Sequence, residues 1–300
     1  MKLKIIRWFR HLKDIVFDII SWTGIYWLFI EMISYQTSGS VDSFFKNFTL
    51  TITVFAIICV ISLIKNRPRS SFRYSLRGKD NFIEIKVCDA LKNKGALIVP
   101  VNDEFDMALG GHVFKTKSIQ NQIIQQFYAG KVEHLNTDIS TKVDIGTKYE
   151  VGKTIEIDQS GKTFYLVVNS IKQENGRVKS EIDHFIQALN GLWQYMALES
   201  GRNSSVTIPV MNTQHGRDSN LTRRTAIKEI ITSFVEASKN LNVCESLIIA
   251  IHPTDLLKGN LDLDELDDFL RLTCKHYRKL TLQQRDQDPD NGSKIIAIDN

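Results

Sequence analysis

The chain has 300 residues, 43% of them hydrophobic and 24% charged, with 38 basic residues against 34 acidic ones and a formal net charge of +4. That length accommodates about two domains, and a charge so small and so evenly mixed gives no electrostatic footprint for nucleic acid. The four cysteines, Cys59, Cys88, Cys244 and Cys274, form no CxxC pair and no Cys/His cluster at zinc spacing, so they read as reduced, mostly buried thiols with no metal site.

The first third is set apart by two apolar runs, IVFDIISWTGIYWLFIEMI at 15–33 and FTLTITVFAIICVISLI at 48–64. A helix needs roughly 20 apolar residues to cross the hydrocarbon core, so both qualify as membrane spans. Asp18 and Glu31 lie near the ends of the first run, where they can reach the interfaces. Lys2, Lys4, Arg7, Arg10 and Lys13 precede it, and Lys65, Arg67, Arg69, Arg73, Arg77 and Lys79 follow the second, whereas the polar stretch between them carries only Lys46. The positive-inside rule then places both termini in the cytoplasm. A cleaved signal peptide would lack the second run and carry a small-residue cleavage site. A buried hairpin in a soluble protein is the other reading.

After a basic linker the pattern alternates. FIEIKV at 82–87 and ALIVPV at 96–101 read as strands, and 118–128 has helical spacing. TIEID at 154–158 and TFYLVVN at 163–169 flank a Gln159–Lys162 hairpin turn. A long amphipathic helix follows at 179–199, then the strand SVTIPV at 205–210, a helix at 222–239, the strand SLIIAI at 246–251 and an acidic helix at 263–276. Short apolar strands separated by helices imply a sheet covered on both faces. The polar tail from 283 contains KIIAI at 294–298, a candidate edge strand.

Ligands of such folds sit beyond the carboxyl ends of the strands. The loop after 96–101 carries Asn102 and then Gly110, Gly111, His112 and Val113, and the loop after 205–210 carries Thr213, Gln214, His215, Gly216 and Arg217. Glycines before a helix let backbone N–H groups approach an anion, so the two loops together could cradle a diphosphate. Arg217 is placed to pair with phosphate or with a surface carboxylate, His112 and His215 stand equally as ligand contacts or exposed loop residues, and Arg223 and Arg224 read as a solvated helix face. Asp103, Glu104 and Asp106 read as solvated loop.

From about 82 to 277 these features resemble a macro domain. The matching residues are Cys88-Asp89-Ala90, the LIVPVN strand ending at Asn102, Gly110-Gly111-His112-Val113, and the Ile208-Pro209 strand leading into Thr213–Gly216. The resemblance implies an α/β macro domain, a mixed sheet flanked by helices in an α/β/α arrangement. With the apolar runs and the polar tail, this divides the chain into a two-span transmembrane region at 1–65, a basic linker at 66–80, a macro domain at 81–280 and a polar tail at 281–300. It further implies that Asp89, beside Ala90, meets the adenine amine, that Asn102 meets the distal ribose, that His252 makes an adenine-side contact, and that the two loops hold the diphosphate of an ADP-ribose-type nucleotide. The chain departs from family hydrolases: Val99 stands where they have a first asparagine, His112 replaces the third glycine, and Gln214 replaces a glycine in a second loop one residue short. No catalytic residue and no cofactor is expected.

Two spans joined to such a domain, with Ala188-Leu189-Asn190-Gly191-Leu192-Trp193-Gln194 before the second loop, resemble the membrane–macro effectors of type II Thoeris anti-phage systems. In that group a partner TIR-domain enzyme makes a histidine conjugate of ADP-ribose, the macro domain senses it, and the membrane part damages the envelope. The resemblance implies a multi-pass protein of the bacterial inner membrane, with the lipid bilayer and further copies of itself as partners. A membrane-tethered hydrolase of ADP-ribose linkages is the alternative, and the two differ in general acid/base equipment.

Overall fold

A computed structural model describes residues 12–37, 48–67, 69–107, 118–175, 178–200, 205–211, 221–258 and 261–277. The N-terminal part is two helices, α1 (Leu12–Gln36) and α2 (Phe48–Lys65). Helix α1, at 25 residues, is long and apolar enough to cross a membrane; α2 is apolar but shorter. Their apolar side chains face outward, with Phe17 at 71% and Leu28 at 67% exposure. The helices run antiparallel: Asp18, near the start of α1, lies 2.9 Å from Lys65 at the end of α2 and accepts from Asn66 Nδ2 at 2.8 Å. An acid inside an apolar helix is costly unless paired, and this pairing supplies the partner.

The rest builds one eight-stranded mixed sheet from β1 (Ser71–Ser75), β2 (Phe82–Val87), β3 (Ala96–Asn102), β4 (Thr154–Gln159), β5 (Lys162–Lys172), β6 (Val178–Lys179), β7 (Ser205–Pro209) and β8 (Ser246–Ile251). The order is β1-β2-β8-β7-β3-β5-β4, with β6 on β5. Strands β2, β8, β7, β3 and β5 are parallel, and β1 and β4 are antiparallel edges. The β4–β5 turn has positive φ at both Ser160 (53°) and Gly161 (73°), the type I′ geometry that matches the twist of the paired strands.

Both faces are covered. Helices α5 (Ile182–Leu198), α6 (Arg223–Asn240) and α8 (Leu263–Lys275) pack Phe185, Trp193, Ile227, Phe234 and Leu270 against Ile83, Ile85, Leu247, Ile249 and Ile98. On the other face α3 (Ile119–Phe127) and α4 (Val132–Ser140) pack Ile123, Leu135 and Ile139 against Leu97, Val99, Phe164 and Leu166. Alternate residues of β3 thus enter opposite cores, which is why the strand reads as a continuous apolar run. Side-chain caps set the helix starts: Ser118 accepts from Asn121 N at 3.2 Å, Thr222 from Thr225 N at 3.1 Å, and Asp262 from Asp264 N at 2.9 Å.

Residues 66–80 read as linker, yet Ser71–Ser75 within them form β1, paired in register from Ser71↔Lys86 to Ser75↔Phe82. Phe72 and Leu76 are buried, while Arg73 stacks its guanidinium on the Phe82 ring at 4.2 Å from the centroid. The apolar alternation was there, but interspersed arginines made it look like a basic flank. Helix α4 and the short α7 (Pro253–Lys258) were also not anticipated. The tail, including 294–298, lies outside the described residues.

Candidate functional site

Because β2, β8, β7, β3 and β5 are parallel, their carboxyl ends share one edge. After β3 the chain moves toward β5; after β7 it moves the opposite way, to β8. Strands β3 and β7 are neighbours, in register at Ala96↔Val206 and Leu97↔Thr207. Such a reversal of connection between adjacent strands opens a crevice at their carboxyl ends, the place where open α/β sheets bind ligands. The segments leaving β3 and β7 here are the two glycine-bearing loops. Gly110, Gly111, His112 and Val113, and Thr213, Gln214, His215, Gly216 and Arg217, lie outside the described residues.

Asp89, Ala90, Asn102 and His252 are described: Asn102 is the last residue of β3, and the others follow β2 and β8, whose carboxyl ends lie on this edge. Asp89 caps a short 3-10 helix, Ala90–Lys92, accepting from Leu91 N at 3.1 Å. That turn belongs to the crossover from β2 to β3, which Lys162 pins from β5 by donating to Leu91 O at 2.8 Å and Asn93 O at 2.9 Å. Burial lowers the Lys162 pKa, and the nearby Asp89 charge opposes that shift. Lys162 had read only as the end of a hairpin turn; nothing local reveals a partner some 70 positions away.

Asn102 is buried at 4% exposure, and its Oδ1 accepts from Glu104 N at 3.2 Å and Asp106 N at 2.9 Å. It therefore shapes the turn out of β3. In that turn Phe105 takes φ 52° and enters the core edge-on to Tyr149, with ring centroids 5.4 Å apart. A positive φ is unfavourable for so bulky a residue, and the Asn102 hydrogen bonds help hold it.

The three carboxylates of this turn are not free loop acids: Asp103 is buried, and Glu104 and Asp106 are part-buried and paired. Asp103 is 3% exposed and accepts from Lys172 N at 2.7 Å, while Lys172 Nζ bridges Glu104 at 2.7 Å and Asp106 at 3.0 Å. These bonds, to Glu104 first and Asp106 second, raise the Lys172 pKa. The correction has a simple cause: one lysine at the end of β5 gathers three acids of the neighbouring strand's turn.

His252 is exposed and caps α7, its Nδ1 lying 2.7 Å from Thr254 Oγ1 and 3.3 Å from Thr254 N. Arg223 departs from the solvated-face reading: its side chain is 17% exposed and lies 3.3 Å from Asp255 of α7. Arg224, 49% exposed, meets Glu265 at 3.0 Å.

Two surface hollows lie at the opposite, amino-end edge of the parallel strands. One, of about 330 Å³, is lined by Asp138, Glu156, Asp158, Tyr195 and Glu199, and the other, of about 470 Å³, by Arg73, Phe82, Glu84, Ser205 and Glu245. Their acidic linings suit neither phosphate nor carboxylate. Among the described residues no group of three His, Cys, Asp or Glu is arranged to hold a metal ion.

The profile of a family described as "Thoeris protein ThsA, Macro domain" matches residues 83–252. Among solved structures, a mutant of the Oceanobacillus iheyensis macrodomain has 13% identity and a TM-score of 0.44, covering 69% of this chain and 97% of that one. A second mutant of that macrodomain, with ADPR, has 13% identity and a TM-score of 0.40, covering 68% and 97%. The same macrodomain with ADP has 14% identity and a TM-score of 0.38, covering 68% and 95%. No curated protein matches the chain.

Proposed function

This chain belongs to the Thoeris ThsA macro-domain family, and on that premise we propose that it is a membrane-anchored sensor and effector of antiviral defence that binds an ADP-ribose-derived nucleotide, associates with further copies, and disrupts the membrane. The observation that carries the reading is the reversal of connection between β3 and β7. It brings the carboxyl ends of β3 and β7 side by side, with Asn102 at the end of β3 and Asp89 after β2 on the same edge, and in the sequence the glycine-bearing segments come next after those two strands. Glycine-bearing segments suit a diphosphate because glycine lets backbone N–H groups approach an anion, and the Asp89 carboxylate suits an exocyclic amine. The histidine conjugate of ADP-ribose, made by a partner TIR-domain enzyme, is the ligand that the resemblance to type II Thoeris effectors implies.

Binding is favoured over hydrolysis because the acids nearest the crevice are engaged. Asp103, Glu104 and Asp106 are held by Lys172 and its backbone. A general base must be free to take a proton within hydrogen-bond reach of it.

Helices α1 and α2 act as two spans of the bacterial inner membrane, with both termini in the cytoplasm. The outward apolar side chains and the Asp18–Lys65 pairing, which puts the polar ends of both helices on one side, support this. Two spans cannot enclose an aqueous path, so a protomer is inert alone. A ligand drives association only if it binds the associated form more tightly, and moving the equilibrium from 1:99 to 99:1 takes about 5.5 kcal/mol. Shared over several protomers, that preference is small for each and makes the response cooperative. The test is to add ADP-ribose and its histidine conjugate to the full chain in liposomes. Ligand-dependent depolarisation and larger species are expected, and a protein that stays monomeric at saturation would contradict the mechanism.

A further inference from the structure

Strand β1 begins on the carboxyl edge of the sheet, because it runs antiparallel to β2 with Ser71 opposite Lys86. The ladder extends one residue further back: Ser70 O accepts from Val87 N at 2.8 Å. Helix α2 likewise runs on past Lys65, with Asn66 N donating to Ser62 O at 3.0 Å and Arg67 N to Ile64 O at 3.3 Å. Only residues 68 and 69 separate that last turn from the ladder. Three Cα steps reach about 10 Å at full extension, so the carboxyl edge at β1 is held close to the end of the helix.

The 18 residues of α2 rise about 27 Å, close to the roughly 30 Å of a hydrocarbon core, and the helix ends in Lys65, followed by Asn66 and Arg67. Basic residues at such a position sit among the headgroups of an anionic leaflet. From there the sheet order places β7 and β3 third and fourth from β1, about 14 and 19 Å along the same edge at the usual strand spacing. The amino edge is a full strand length away, about 20 Å for the six residues of β8. Because Ser70 is still bonded to the ladder, the chain leaves the sheet through the edge and along the strands, not sideways past α8, which lies beside β1 through Asp267 and Tyr74.

We propose that the carboxyl edge of the sheet faces the bilayer, so that the crevice between β3 and β7 opens toward the headgroups of the cytoplasmic leaflet and a nucleotide enters through the gap between domain and membrane. This rests on the reading of α1 and α2 as membrane spans. The two surface hollows at the amino edge then face the cytosol. The arrangement also shortens the route from ligand to membrane. The strand end that receives the segment from α2 carries Asp89 two residues beyond Val87, and Cys88 N donates to Ile251 O at 3.0 Å, one residue before His252.

The experiment places a fluorescent probe at either end of one strand in the full chain, reconstituted in vesicles that carry a nitroxide quencher on the lipid headgroups. Thr254→Cys puts the probe beyond the carboxyl end of β8, Glu245→Cys puts it at the amino end, and Arg271→Cys puts it on the exposed flank of α8, each in a background lacking Cys59 and Cys88. Native Cys88, in a chain lacking only Cys59, is a second carboxyl-edge probe should Thr254→Cys not fold. Melting curves and vesicle flotation accompany each variant. The carboxyl-edge probes should be quenched about twofold or more over those at 245 and 271, since such quenching fades within the ~20 Å length of β8. Equal quenching at all positions, or the strongest quenching at 245 or 271, in protein that floats with the vesicles would overturn the proposal and leave the spans standing. Protein that does not float would remove the two-span reading, and the proposal with it.

Discussion

Lys172 at the end of β5 lies 2.7 Å from Glu104 in the turn after β3, and the same ammonium reaches Asp106 at 3.0 Å. One cation thereby fixes the segment that leads into the first glycine-bearing loop. Lys172→Met removes it and leaves two part-buried carboxylates facing each other. The expected loss is about 1–2 kcal/mol, between that of a surface pair and that of a fully buried one, read by urea denaturation. The pH dependence has a defined sign. Hydrogen bonding to Glu104 and Asp106 holds the Lys172 pKa above its ordinary 10.5, so the folded state binds that proton more tightly. The difference between parent and variant should be constant from neutral pH upward and close only above 10.5. A difference that vanishes at neutral pH would show the bridge to be dispensable.

Two thiols offer a second test. Burial pushes Cys244 up to about 12 and Cys274 up to about 11, from an ordinary 9.0. Their folded states favour the neutral thiol, so the associated stability is complete below pH 9 and is lost as pH rises toward those values. Thiol reagents at pH 8 should modify half-buried Cys88 slowly, and should modify Cys244 and Cys274 only once the protein unfolds. Cys244 reacting as fast as Cys88 in the folded protein would contradict the packing of the core beneath β8.

The proposed two-span topology is tested through the antiparallel pairing of α1 and α2, which puts Asp18 and Lys65 at one end. A membrane-impermeant thiol reagent applied from outside should label a Ser38→Cys variant and spare a Ser70→Cys variant. The reverse pattern would invert the orientation.

Much of this fold is written in local patterns. The strands at 82–87 and 246–251 have the boundaries their apolar runs suggest, and the starts of α3, α6 and α8 sit at Ser118, Thr222 and Asp262, as capping chemistry predicts. What could not be read depends on residues far apart in the chain. Strand β1 exists because β2 offers it an edge. Asp103, Glu104 and Asp106 look like solvated acids until Lys172 is placed beside them. Gly191 stands in the sequence only as part of the 188–194 stretch, whereas a Cβ there would run into the Gly152 carbonyl, so the glycine lets α5 approach the turn before β4. At the site, Asp89 and Asn102 were legible as residues at the carboxyl ends of strands, although β3 runs one residue further than its apolar run and takes in Asn102. Their local duties, capping the 3-10 helix and shaping the β3 turn, emerge only in three dimensions.

The central claim is that the carboxyl edge between β3 and β7 holds an ADP-ribose-type nucleotide. It is tested most directly by calorimetric titration of the full-length protein with ADP-ribose and its histidine conjugate, beside the Asp89→Ala and Gly111→Trp variants. The account predicts saturable binding by the parent, a loss of about 1.5–3 kcal/mol in Asp89→Ala where one charge-assisted hydrogen bond is removed, and no measurable binding in Gly111→Trp, whose side chain would fill the path to the diphosphate. Saturable binding left unchanged in both variants would place the ligand elsewhere, and no binding of either nucleotide by the folded parent would contradict the claim itself.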